Sequence, residues 1–186
     1  MRRLVLASAS PRRKDLLEDA GFEVSCVVSG AEELESDEFA PAALALENAG
    51  RKAALVAQLY PDEIVLAADT VVWRDGCFYG KPASFDDAVR MIGELEGRTH
   101  EVVTGVVIYR PSAGMLSFAE SSLVTFRSLG PEGIRRYLES INPLDKAGGY
   151  AAQGEEGKMI IESIDGLLTN VIGLPVERVI AELDRP

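Results

Sequence analysis

The 186-residue chain is 47% hydrophobic and 26% charged, a balance that suits one globular domain with a sizeable core and excludes a disordered or low-complexity chain. Thirty acidic residues against 19 basic ones give a formal net charge of −11, which argues against a nucleic-acid partner gripped by its phosphates. No apolar run approaches the ~20 residues of a membrane span, and Leu4 to Ala9 is too short for a signal-peptide core, so no membrane partner and a cytoplasmic setting are expected, with Cys26 and Cys77 as free thiols.

In chain order, Leu4 to Ala7 reads as a short buried strand. Ser10 then offers an N-cap, Pro11 the first helical position, and Gly21 a stop, which predicts a helix between them. Phe22 to Val28 reads as a strand, and the acidic run Glu32 to Glu38 as a loop. Pro41 opens a long Ala/Leu-rich helix ending near Tyr60. Ile64 to Ala68 is a continuous apolar run, typical of a strand covered on both faces. After Asp69-Thr70, the segments Val71 to Trp73 and Cys77 to Tyr79 flank Asp75-Gly76, a hairpin turn.

Ser84 and Asp87 form a capping box for a helix that ends near Leu95, before Gly97. Val102 to Tyr109 and Met115 to Phe126 predict two long antiparallel strands across the turn Pro111 to Gly114. A helix over Pro131 to Ile141, a strand over Lys158 to Ile164 and a helix over Pro175 to Leu183 complete the reading. Helices and strands alternate while hairpins interrupt the βα order. The expected fold is a three-layer α/β domain around a mixed sheet, spanning residues 1–186 without a linker.

The cations share a local context: Ser10-Pro11-Arg12-Arg13, Gly50-Arg51-Lys52, Gly80-Lys81-Pro82, Gly97-Arg98-Thr99 and Asp145-Lys146-Ala147-Gly148-Gly149. Most sit at loop or helix ends beside Gly or Pro, where backbone can approach a ligand closely; Lys52 lies inside a helix. Arg12 and Arg13 fall in the first turn of a helix, where the dipole disfavours cations by some tenths of a kcal/mol to ~1. An anion held there, also by free backbone N–H groups, would explain the pair; a solvated surface pair is the competing reading.

Asp69 follows a buried strand, where a carboxylate can hold Mg²⁺ or accept a proton from water, or simply cap a turn. Glu32 and Glu33 are either metal ligands or part of a solvated loop, and spacing favours the loop. His100 is the only histidine, which removes a multi-histidine zinc site, and beside Glu101 at a strand start it reads as structural. No Gly-x-Ser-x-Gly elbow, Walker-type loop or dinucleotide glycine motif is present.

Six blocks in order resemble the Maf family over nearly the whole chain. They are Leu6 to Leu17 with Ser8-Ala9-Ser10-Pro11-Arg12-Arg13, Ala68 to Val72, Gly80-Lys81-Pro82, Gly97 to Val106, Asp145 to Tyr150 with Gln153-Gly154, and Asn170 to Pro175. The resemblance implies an α/β fold with a deep cleft between two lobes, similar to the inosine triphosphate pyrophosphatases, and a homodimer. It implies metal-dependent hydrolysis of a nucleoside triphosphate between the α and β phosphates, with Mg²⁺ or Mn²⁺ as the cation.

By matching motif, Ser8, Arg12, Arg13, Lys52 and Lys81 look like phosphate ligands. Asp69 looks like the proton acceptor, and Glu33 like the acidic residue that assists metal or water. Arg12 or Arg13, Thr70 and Gln153 match the branch that takes dTTP and UTP. The 7-methyl-GTP branch is expected to carry Trp for that Thr and Glu for that Gln. Two stretches depart from the pattern: Gly166-Leu167-Leu168-Thr169 stands where the family shows Gly-Ser-Tyr-Ser/Thr, and Glu47-Asn48-Ala49-Gly50 is less regular than Leu-Ala-x-x-Lys-Ala. The expected role is a house-cleaning pyrophosphatase; the alternative is a nucleotide-binding regulator of cell division or septum formation with little turnover.

Overall fold

The structure, a computed structural model, describes residues 2–34 and 38–185. The Glu35 to Asp37 part of the acidic run lies outside the described residues. In chain order the elements are β1 (Arg2–Leu6), α1 (Pro11–Asp19), β2 (Phe22–Cys26), α2 (Pro41–Leu59), β3 (Val65–Arg74), β4 (Cys77–Phe78), α3 (Phe85–Leu95), β5 (Thr99–Arg110), β6 (Gly114–Phe126), α4 (Gly130–Glu139), α5 (Gly154–Ile160), β7 (Ile161–Asp165), α6 (Leu168–Ile172) and α7 (Val176–Leu183). The sheet order is β2-β1-β3-β5-β6-β7, with β4 on β3. β1 runs parallel to β2 and β3, whereas β4 and β7 run antiparallel to β3 and β6. This is the α/β mixed sheet that the sequence predicts.

The chain packs as two compact units. The first comprises Met1–Thr70, Thr104–Glu120 and Gly173–Pro186, and the second Val71–Val103 and Ser121–Ile172. In the first unit the two-residue period of the strands sorts side chains to opposite faces of the sheet. Leu4, Leu6, Leu66, Ala68, Val106 and Ile108 pack with Leu17 of α1 and Val179 of α7. Val5, Ala7, Val65, Ala67 and Val107 pack with Ala49, Ala53 and Val56 of α2. Three layers result, each Val, Leu or Ile side chain contributing about 1.5–3 kcal/mol when fully buried and each Ala less.

α2 buries two adjacent rows at i, i+4 spacing: Leu44, Asn48, Lys52 and Val56, and beside them Ala45, Ala49, Ala53 and Ala57. The small second row lets the helix sit hard on the sheet. A Cβ built on Gly105 of β5 would lie 2.4 Å from the Ala45 carbonyl carbon and 2.5 Å from the Leu46 nitrogen, so only glycine fits there. Gly50, a weak point for a helix on propensity, does not interrupt α2.

In the second unit, Ile92 and Leu95 of α3, Tyr137 and Leu138 of α4, and Ile160 of α5 pack around Phe126 and Tyr150. His100 meets Phe126 and Tyr150 edge-on, and its Nε2 lies 3.0 Å from the Tyr150 hydroxyl. Burial pushes the imidazole down to about 4, so it is neutral at pH 7, the structural role that the sequence suggests. Ser122 Oγ accepts from the Leu167 amide at 3.1 Å. The Gly166-Leu167 stretch is thus tied through its backbone, without the polar side chains of the family pattern.

Most local signals hold. Ser10 Oγ accepts from the Arg13 amide as an N-cap, and Asp75 (φ 50) with Gly76 (φ 87) makes the turn between β3 and β4. Ser84 accepts from the Asp87 amide at 3.1 Å, but the Asp87 carboxylate reaches back to the Ala83 amide at 3.0 Å rather than to Ser84.

Two expectations are corrected and one element is added. β3 runs unbroken from Val65 to Arg74, so Asp69-Thr70 is mid-strand and no turn. Lys158 to Ile160 are helical, the last residues of α5; its acidic first turn (Glu155, Glu156) and basic last turn (Lys158) suit the helix dipole better than a strand. α6, a single short turn of helix, carries no periodic signal and was not expected. Cys26 and Cys77 are free and exposed, and no helix among the described residues is long and apolar enough to cross a membrane.

Candidate active site

Because β3 is a strand through Asp69 and Thr70, these neighbours face opposite ways, and each is met by a cation. On the α2 face, Lys52 occupies a position in the helix's apolar stripe, between Leu44 and Val56 in its row. Its ammonium is 2.7 Å from Asp69 Oδ1 and 2.6 Å from Glu33 Oε1. Lys52 is 7% and Asp69 8% exposed, so neither charge is well solvated. A buried ion without a partner costs several kcal/mol, and the Lys52–Asp69 contact offsets that cost for both side chains. With Glu33 the trio carries a net charge of −1. The turn-capping role for Asp69 is excluded by its place in the strand, while Glu33, exposed on an irregular segment, is ion-paired to Lys52.

A residue that sequence reasoning missed completes this face. Asn48, one helical turn before Lys52, is 3% exposed. Its Nδ2 donates to Asp69 Oδ2 at 3.2 Å and to the Leu34 carbonyl at 3.1 Å, while its Oδ1 accepts from the Leu34 amide at 2.8 Å. The signal was there: polar Asn48 and charged Lys52 stand four apart in a stripe that is otherwise aliphatic.

On the α1 and α7 face, Arg13 turns inward from the first turn of its helix. Its Nε donates to the Gly173 carbonyl at 2.8 Å, Nη1 to Ser8 Oγ at 3.1 Å, and Nη2 to Thr70 Oγ1 at 3.0 Å. Thr70 Oγ1 also lies 2.9 Å from Thr104 Oγ1. Ser8 Oγ further accepts from the Ser10 amide at 3.1 Å. These acceptors are all neutral. Burial lowers the guanidinium below its ordinary value, the Asp69 charge opposing, though an arginine stays protonated. The solvated-pair reading therefore fails for Arg13.

Ser8, Arg13 and Thr70 thus form one cluster, and Glu33, Lys52 and Asp69 a second, all in the first unit. Arg12 is half-buried beside the first. Lys81 and Gln153 belong to the second unit and are exposed; Gln153 is the N-cap residue of α5 and makes no side-chain capping bond.

Among the described residues no three His, Cys, Asp or Glu side chains gather as a metal cage. Asp69 and Glu33 are instead a pair of hard oxygen donors with Lys52 between them. That donor set fits Mg²⁺ or Mn²⁺ in the manner of a cation shared with substrate phosphates, which needs only one or two carboxylates.

The Maf-like protein family model matches residues 3–185. The dTTP/UTP pyrophosphatase of Akkermansia muciniphila is 46% identical over 176 residues, covering 95% of this chain and 92% of that protein. The dTTP/UTP pyrophosphatase of Bacillus cereus is 43% identical over 183 residues, covering 98% and 95%. That of Pelotomaculum thermopropionicum is 41% identical over 179 residues, covering 96% and 93%. Among solved structures, the Staphylococcus aureus Ham1 protein matches with a TM-score of 0.55 at 16% identity, over 99% of this chain and 100% of that one, which shows a shared fold. Matched by its model from residue 3 to residue 185, and by relatives at 41–46% identity, the chain belongs to the Maf family.

Proposed function

We propose that this protein is a nucleoside triphosphate pyrophosphatase that hydrolyses dTTP and UTP to the monophosphate and pyrophosphate, in a house-cleaning role. The observation that carries the reading is the buried Lys52 between Asp69 and Glu33, an arrangement with little use in a passive binding protein. Water attacks the α phosphorus, the bond to the α–β bridging oxygen breaks, and its electron pair leaves with pyrophosphate. Asp69 accepts the proton of that water, with Glu33 assisting.

Lys52 directs two of its three ammonium donors to the carboxylates, which fixes their orientation. Its third donor is available to a phosphate oxygen. Arg13 offers a positive charge held by neutral acceptors alone, so that charge is uncancelled by its hydrogen-bond partners and stabilises an anionic leaving group. Ser8, Arg12 and Lys81 complete the phosphate contacts by motif match. Asp69 and Glu33 would hold Mg²⁺ or Mn²⁺, which supplies further neutralisation of phosphate charge.

Arg12, Arg13, Thr70 and Gln153 set the preference for a pyrimidine. Thr70 is pinned by Arg13 and Thr104, so its size and position are fixed rather than adaptable. Gln153 can offer donor and acceptor together, as the N3–H and carbonyl edge of uracil or thymine requires. A cytoplasmic homodimer acting on free nucleotides completes the reading. The test is a screen of canonical and modified triphosphates with separate detection of pyrophosphate and orthophosphate. Pyrophosphate with UMP or dTMP is expected; orthophosphate with UDP would overturn cleavage between the α and β phosphates.

A further inference from the structure

We propose that Asn48 is a positioning residue for the reaction, holding Asp69 and the Glu33 segment in register with one amide group. The inference rests on Asp69 being the proton acceptor. The amide orientation is dictated by its surroundings: the Leu34 N–H can only donate, so it must meet Oδ1, and the Asp69 carboxylate accepts, so it must meet Nδ2. The two assignments agree with each other and with the bond from Nδ2 to the Leu34 carbonyl.

The chemistry follows from the placement of those bonds. Asp69 Oδ1 is engaged by Lys52 and Oδ2 by Asn48, so the carboxylate is held at both oxygens by side chains one turn apart on α2. Such a pair of anchors removes rotation about the last side-chain bond of Asp69, and a base held in one orientation loses less in reaching its water. The same Asn48 side chain grips the backbone of Leu34 on both its N–H and its carbonyl, one residue after Glu33. Glu33, on an otherwise irregular segment, is thereby tied to the helix that carries Lys52. A core-filling residue at this point of the stripe needs no amide; Leu would fill the volume.

Two variants separate these functions, measured at a temperature where all proteins are fully folded. Asn48→Leu keeps the shape and removes every bond; Asn48→Asp keeps an acceptor for the Leu34 amide but removes the donor to Asp69. With UTP and Mg²⁺, both should lose about tenfold or more in kcat while KM changes less than about threefold, as expected when orientation rather than binding is lost. Hydrogen exchange at the Leu34 amide should accelerate in Asn48→Leu and stay slow in Asn48→Asp. A kcat within twofold of wild type in either variant would overturn the assignment while leaving the pyrophosphatase reading intact. A wild type that releases no pyrophosphate from any triphosphate would instead overturn both.

Discussion

In the first unit the side chains buried with their charge are Arg13, Lys52, Asp69 and Glu182; in the second the buried polar side chains are His100, Ser122 and Asn170, and all three are neutral. The second set bonds within its own core: Asn170 Nδ2 donates to the Val102 carbonyl and to Ser122 Oγ, each at 3.0 Å, and His100 joins two aromatic rings. A neutral buried hydrogen bond is cheap to keep and contributes about 0.5–1.5 kcal/mol to the fold. A buried charge is expensive and persists where partners or function compensate. The contrast sets neutral polar groups that knit a core against buried charges that each need a partner, and on the proposed function Arg13, Lys52 and Asp69 are charges kept for the reaction.

The strongest way to break that contrast is at Asp69. Asp69→Asn retains the shape and a bond to Lys52, so circular dichroism should show a native fold while pyrophosphate release falls by on the order of 10²-fold or more. Near-normal turnover would reduce Asp69 to a structural partner of Lys52. The second unit is probed for a chemical part at Gln153. Replacing it by Glu removes the donor, and pyrimidine turnover should weaken by about 1–3 kcal/mol if a buried hydrogen bond is lost. Competition between UTP and 7-methyl-GTP reads this directly, and unchanged selectivity would confine recognition to the first unit.

The smallest effect is expected at His100 and concerns stability alone. Its folded value is about 4 against an ordinary 6.5, so the unfolded chain takes up the proton first as the pH falls. Stability from this group is full above about 6.5 and drains away as the pH drops toward 4. Near pH 5.5 the loss amounts to about 1.4 kcal/mol. Denaturant titrations of wild type and His100→Gln, which keeps a partner for the Tyr150 hydroxyl, should differ by a constant amount above about 6.5, and below it the wild type should lose stability more steeply. Parallel curves would show that His100 is not the responsible group.

How far these features were legible in the residues varies with the range of the interactions behind them. Ser10, Asp75-Gly76 and Pro41 act on their own neighbours, and their elements form where the sequence puts them. Asp69-Thr70 looks like a turn because those residues favour turns, but Lys52, Asn48 and Arg13 satisfy their side chains from elsewhere and the strand continues. The motif match singled out Ser8, Arg13, Thr70, Glu33, Lys52 and Asp69 without revealing that they divide into two clusters. Arg13 shows the limit most clearly. Its position in the first turn suggests an outward cation, whereas the inward turn toward Ser8, Thr70 and Gly173 depends on residues up to 160 positions away. Asn48 was readable only as a break in an aliphatic stripe, since its partners come from a loop and a strand.

The contact at Gly105 bears on how variants of this protein should be interpreted. The backbone of Ala45 and Leu46 occupies the space that any side chain there would need. One added methyl must therefore displace α2, and the same helix carries Asn48 and Lys52. In a saturation library ranked by surviving activity, position 105 should score as intolerant as Asp69, although glycine has no side chain with which to act. Its signature would differ in kind: every substitution fails, graded by bulk rather than by charge or hydrogen bonding. A ranking by activity alone would mistake this lever for a ligand, and the size dependence is what tells them apart.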